Sequence, residues 1–278
     1  MTGHLRGELW PQDRWGRVLN AGVDSSQLSQ AAWLLGEEAA DLASERFGQK
    51  LHSVYLSGPA ARGRAGGAAA FVLLRLGETG LASGAWATAA AAELRRRHPD
   101  IGPTSISVFR WRDVFSTDGA FSPARFRLGV NSVCVAGRDV GRLIAPQRLD
   151  DAASNPAIIA FQSRMWGAAK KAGAAARPAR VRAAAMDAGH AVLAAGFSMV
   201  MSAEQAYSED LDLRRDFFAL AHPDHKGAIH QAYNMAVRPV DDPRAVLTFI
   251  ESICKWMSPM IDDWLNAHNP QRAETLRV

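Results

Sequence analysis

Near residue 150 the pattern of the chain changes, and that change limits the folds open to it. Before it, segments with apolar residues at helical spacing alternate with short apolar runs of strand length. After it, strand signals stop and helical ones follow one another to the C-terminus. Leu28, Ala32, Leu35, Ala39, Leu42 and Phe47 predict a helix over residues 26–48, capped at Ser25 or Ser26 and stopped by Gly48. Strands are expected at 52–56, 67–76, 105–111 and 126–135, with an alanine-rich helix over 82–97. Three arginines, Arg95 to Arg97, end that helix and suit the negative end of its dipole. Helices are expected at about 155–172, 178–203, 208–220, 225–237 and 243–267, with Pro178, Pro223, Pro239 and Pro243 at the joints. The pattern predicts an α+β chain, with a small mixed sheet and flanking helices over residues 1–149 and an all-helical domain over 150–278.

At 278 residues, 48% of them hydrophobic, the chain is long enough to bury a substantial core. No run reads as apolar enough to span a bilayer, and the start, with Trp10, Pro11 and Trp15, is not a signal pattern. No membrane association and a cytoplasmic location are expected. Cys134 and Cys254 are too few for a disulfide framework and lack metal-ligand spacing. The net charge of +4 is spread as scattered basic residues among 28 acids, which argues against nucleic acid as a partner. The arginine- and alanine-rich composition fits a high-GC bacterial source.

The segment 54–74, VYLSGPAARGRAGGAAAFVLL, carries the most specific pattern. It has a short strand, a small-residue turn at Ser57 and Gly58, an Arg62-Gly63 pair, a loop and a second strand. This frame resembles the signature of the polymerase-beta-like nucleotidyltransferases, including the aminoglycoside-modifying ones. In that family a strand and Gly-Ser lead through Arg-Gly to Asp-x-Asp on the next strand. An α/β domain followed by a helical one is similar to the same family's two-domain members, as are the segments 133–139 and 199–211. The resemblance implies a nucleotidyltransferase-like fold with its site in the cleft between the domains.

The resemblance also implies that the chemistry is gone. Aligned from Arg62-Gly63, the two aspartate positions fall on Ala70 and Val72, and the third acid position on Ser107. Hard cations need oxygen ligands, usually carboxylates, so no metal and no other cofactor is expected. Ser57 precedes its glycine, and Pro59 lacks the N–H that a phosphate loop would offer. Arg62 remains as a side chain able to pair with an anion. The candidate ligand-binding residues are Ser57, Gly58, Arg62, Ala70, Val72, Ser107, His190 and Tyr207, with His190 a candidate general base. The small neighbours of His190 allow close approach of another helix or a ligand. His222, His225 and His230 look like a metal cluster, but no Cys or Glu completes a zinc set at usual spacing.

Three classes of function remain open. One is a metal-independent small-molecule enzyme of specialised metabolism, such as a cyclase, isomerase or group-transfer enzyme, acting on an apolar ligand in a remodelled cleft. Another is a non-catalytic scaffold or partner subunit, homodimer included. The third is a ligand-sensing, antitoxin-like regulator.

Overall fold

A computed structural model describes residues 8–20, 25–64, 66–75, 84–115 and 119–277. Leu76 and residues 82–83, the ends of two expected elements, lie outside them. The chain forms two compact units, one of residues 11–147 and one of residues 1–10 with 148–278.

The first unit is built on a four-stranded sheet of β2 (Leu51–Ser57), β3 (Ala68–Leu74), β4 (Thr104–Arg110) and β5 (Ser132–Gly137), in the order β4-β3-β2-β5. β2 runs antiparallel to both β3 and β5, whereas β3 and β4 are parallel. A parallel pair needs a crossover, and α2 (Gly84–Arg97) supplies it. The short β1 (Arg17–Val18) pairs with β6 (Gln147–Arg148) outside this sheet.

α1 (Gln30–Phe47) starts later than expected, because Ser29 and not Ser25 or Ser26 caps it. The Ser29 hydroxyl accepts from the Ala32 N–H at 3.2 Å. Gly48 ends the helix at φ 53°, as its position predicted. α1 and α2 press alanine-rich faces on one side of the sheet, where Ala39, Ala43, Ala90 and Leu94 meet Val54, Ala70, Val72 and Ile106. Small side chains let the layers approach closely. A Cβ on Gly36 would stand 3.0 Å from Val135 of β5.

Residues 126–135 are not one strand. They divide into α4 (Pro123–Val130) and β5, after the short α3 (Trp111–Val114). Three local signals set α4. Ser122 caps it by accepting from the Arg125 N–H at 3.2 Å, Pro123 occupies its first turn, and Asn131 closes it.

Among its described residues, the regular elements of the second unit are helices apart from its share of β6 and a bridge residue at Arg277. It holds α5 (Asp151–Ile159), α6 (Phe161–Gly173), α7 (Pro178–Glu204), α8 (Leu211–Ala221), α9 (Lys226–Val237) and α10 (Pro243–His268). The single helix expected at 155–172 is interrupted at Ala160. α7 packs against the other five helices. Contrary to the sequence reading, it is long and apolar enough to span a membrane by length and composition, but most of its apolar stretch is buried in this unit. The small residues around His190 admit a helix. A Cβ on Gly189 would stand 2.6 Å from the Ala232 carbonyl and the Ala236 nitrogen of α9.

Candidate functional site

The turn after β2 is closed on itself. Gly58 sits at φ 93°, and an added Cβ would lie 3.0 Å from the Gly67 carbonyl oxygen. The Ala60 N–H donates to Gly67 at 3.3 Å, Ala61 to Gly58 at 3.1 Å, Gly63 to Ala60 at 3.2 Å and Arg64 to Pro59 at 3.0 Å. A phosphate-binding turn needs N–H groups aimed outward. Here they are consumed within the loop, and Pro59 has none. Ser57 is buried at the end of β2. Arg62 reaches across to the α4–β5 junction, where its Nη1 donates to Asn131 Oδ1 at 2.8 Å. Asn131 is only 1% exposed, so this bond fastens the loop to the domain.

The three acid-equivalent positions do not share a face. Ala70 pairs with Ile106 and Val72 with Val108, and Ala70 and Val72 point into the apolar layer under α1 and α2. Ser107 pairs with Phe71, one residue out of phase, and so lies on the other side of the sheet. That other side carries Tyr55, Phe71 and Leu73, packed against Val114, Leu128 and Val140. Carboxylates at 70, 72 and 107 would not converge on one ion.

His190 and Tyr207 belong to the helical unit. His190 is exposed on α7. Tyr207 is buried, its ring edge-on to Trp10 with centroids 5.4 Å apart, and its hydroxyl donates to Glu209 Oε1 at 3.1 Å. The Trp10 N–H also donates to the Tyr207 carbonyl at 2.9 Å. His225 lies flat on Trp256 at 4.2 Å, and His230 Nδ1 meets the Lys226 carbonyl at 2.8 Å. Among the described residues, no three His, Cys, Asp or Glu side chains gather as a metal site requires.

The α/β unit contains a cavity of about 490 Å³ that the motif reading did not find. Leu128, Gly129 and Val130 of α4 and Ser132, Val133 and Cys134 of β5 form one wall. Asp139, Gly141, Ile144 and the run to Gln147 form another, and Val18 to Asn20 contribute a third. Two glycines let α4 and the 141–144 segment approach closely. A Cβ on Gly129 would meet Ile144 at 3.0 Å, and one on Gly141 would meet the Leu128 carbonyl at 3.1 Å.

The polar groups here are held in neutral or paired forms. Burial, reinforced by the Asp139 charge, pushes the Cys134 thiol up to about 11. Roughly one such thiol in ten thousand is ionised at pH 7. Burial also pushes the Tyr55 phenol up to about 12, while its oxygen accepts from the Val140 N–H at 2.7 Å. Asp139 Oδ1 accepts from the Gly141 N–H at 2.8 Å, and Oδ2 faces Arg142 Nε at 3.3 Å. Gln147 Oε1 is buried with no hydrogen-bond partner among the described residues. A protonated thiol and phenol favour binding over nucleophilic attack. The signal that could have found this site was the Gly137-Arg138-Asp139 turn, which the sequence marks only as a strand end.

Scanned against models of known protein families, the chain matches none, and no curated protein matches it.

Proposed function

We propose that this chain binds a small, partly apolar molecule in the cavity beside β5, and that it does not use the nucleotidyl-transfer chemistry its 54–74 segment resembles. The observation that carries the reading is the cavity itself. Its 490 Å³ falls in the usual range for small-molecule sites, and its walls mix apolar side chains with polar ones in near-equal share. Residues 70, 72 and 107 bear no carboxylate and do not share a face, and four of the loop's N–H groups donate to its own carbonyls. Both features weigh against a triphosphate as ligand. The order of strand, glycine turn, Arg-Gly and strand agrees in outline with the nucleotidyltransferase resemblance, which we retain as a reading of ancestry. Within the open classes, a ligand-binding or sensing role fits the protonated Cys134 and Tyr55 better than catalysis does.

The test is a fragment screen on the full chain, read by thermal shift and by amide NMR signals. Binders are expected to shift the signals of residues 129–147. At a hundredfold excess over Kd they would stabilise the protein by about 2.7 kcal/mol. Ala145 lines the cavity and is exposed, so Ala145→Trp adds bulk there without disturbing the core. Binding that survives Ala145→Trp, or signals that shift only elsewhere, would overturn the reading. Nucleoside triphosphates with Mg²⁺ or Mn²⁺ are expected to yield no pyrophosphate, with or without aminoglycosides.

A further inference from the structure

We infer that the cavity selects a ligand carrying a hydrogen-bond donor, an amine or hydroxyl on an apolar body, and that Gln147 receives that donor; the inference rests on the cavity reading above. The argument is an inventory of hydrogen-bonding capacity around the walls. Four of the donors at the walls are already engaged. The Ser132 hydroxyl donates to the Leu128 carbonyl at 2.8 Å, and the Cys134 thiol to the Ala136 carbonyl at 3.4 Å. The Gly141 N–H is taken by Asp139, and the Val140 N–H by Tyr55.

The acceptors have capacity left. Gln147 Oε1 is buried without a partner among the described residues. Asp139 holds one short bond and one longer ion pair with Arg142, whose side chain is 87% exposed. The Ser132 oxygen, having donated its proton, still has lone pairs. A buried acceptor left unpaired is costly, so a ligand that donates to it gains what an equally shaped hydrocarbon does not. The body of that ligand would lie against Leu128, Val130, Ile144 and Pro146.

Four probes that share a phenylethyl skeleton separate the possibilities: 2-phenylethylamine, 2-phenylethanol, ethylbenzene and 3-phenylpropionate, titrated into the full chain and followed by NMR. The amine and the alcohol are expected to bind at least about fivefold tighter than ethylbenzene, the worth of one modest hydrogen bond. Gln147→Met, of similar length and without the acceptor, is expected to erase that ratio. Phenylpropionate binding as tightly as the amine would mean that Arg142 sets the selectivity, and would overturn the inference. So would a ratio that survives Gln147→Met. Either result leaves the cavity reading standing, whereas failure of all four probes and of every fragment to shift residues 129–147 removes both.

Discussion

Val72 tests the apolar layer of the sheet at a single side chain. It is fully buried between the sheet and the helices α1 and α2. Val72→Asp would place a charge among alanines and leucines with no cation beside it. It is expected to cost several kcal/mol, or to hold the carboxyl protonated, and to yield no pyrophosphate release. Urea unfolding measures the first and a pyrophosphate assay the second. Full stability in Val72→Asp would mean that the side chain reaches water. That residues 70 and 72 are apolar strand positions was legible in the sequence. Which face they take was not, because a strand turns over with every residue and the register with β4 is a long-range property. Tyr55 and Cys134 give a pH prediction. Both have folded pKa values above their ordinary ones, about 12 against 10 and about 11 against 9. Their stabilising contribution is complete below pH 9 and is lost as pH rises through 9 to 12, because the unfolded chain releases those protons first. The denaturation midpoint should fall across that window, and Tyr55→Phe should flatten its upper part.

Helices and strands were legible in proportion to how local their determinants are. Gly48, Pro178 and Pro243 mark boundaries that the structure keeps within a residue. Residues 126–130 read as strand because Phe126, Leu128 and Val130 alternate with other residues as a strand would, while the deciding signals, Ser122 and Pro123, lie upstream of that run. Close packing between helices left only the weak trace of small residues. It supports a paired prediction on two mid-helix glycines. Gly189→Ala would push a Cβ to 2.6 Å from the backbone of α9 and should destabilise by about 1–3 kcal/mol. Gly167→Ala on α6 meets nothing within 4 Å and should stabilise by up to about 1 kcal/mol, since alanine restricts the unfolded chain. Thermal unfolding of the two variants should move in opposite directions. Equal shifts would mean that α7 and α9 are farther apart than their backbones indicate.

Across the whole chain, the α+β class and the switch to helices near residue 150 were legible because both are averages over long stretches. The ligand cavity was not, because its walls come from residues 18–20 and 126–147, brought together only by the fold. The place of the chain's first described residues was hidden for the same reason. The Glu8 N–H donates to Asp210 Oδ2 at 2.7 Å, the Ser208 hydroxyl donates to the Glu8 carbonyl at 2.7 Å, and Trp10, 3% exposed, packs on Tyr207. Partners some 200 positions away leave no local periodicity to read. These contacts make residues 8–10 part of the helical unit's fabric, joining at the segment between α7 and α8. Trp10→Ala removes a large buried ring and should cost that unit about 3–5 kcal/mol. Hydrogen exchange locates the loss. Amides of residues 205–221 are expected to exchange faster in Trp10→Ala, while β2 to β5 keep their protection, because no residue of that sheet belongs to the unit in which Trp10 packs. Acceleration spread evenly over both units would mean that they unfold as one cooperative body, and unchanged exchange at 205–221 would mean that Trp10 only rests on the surface.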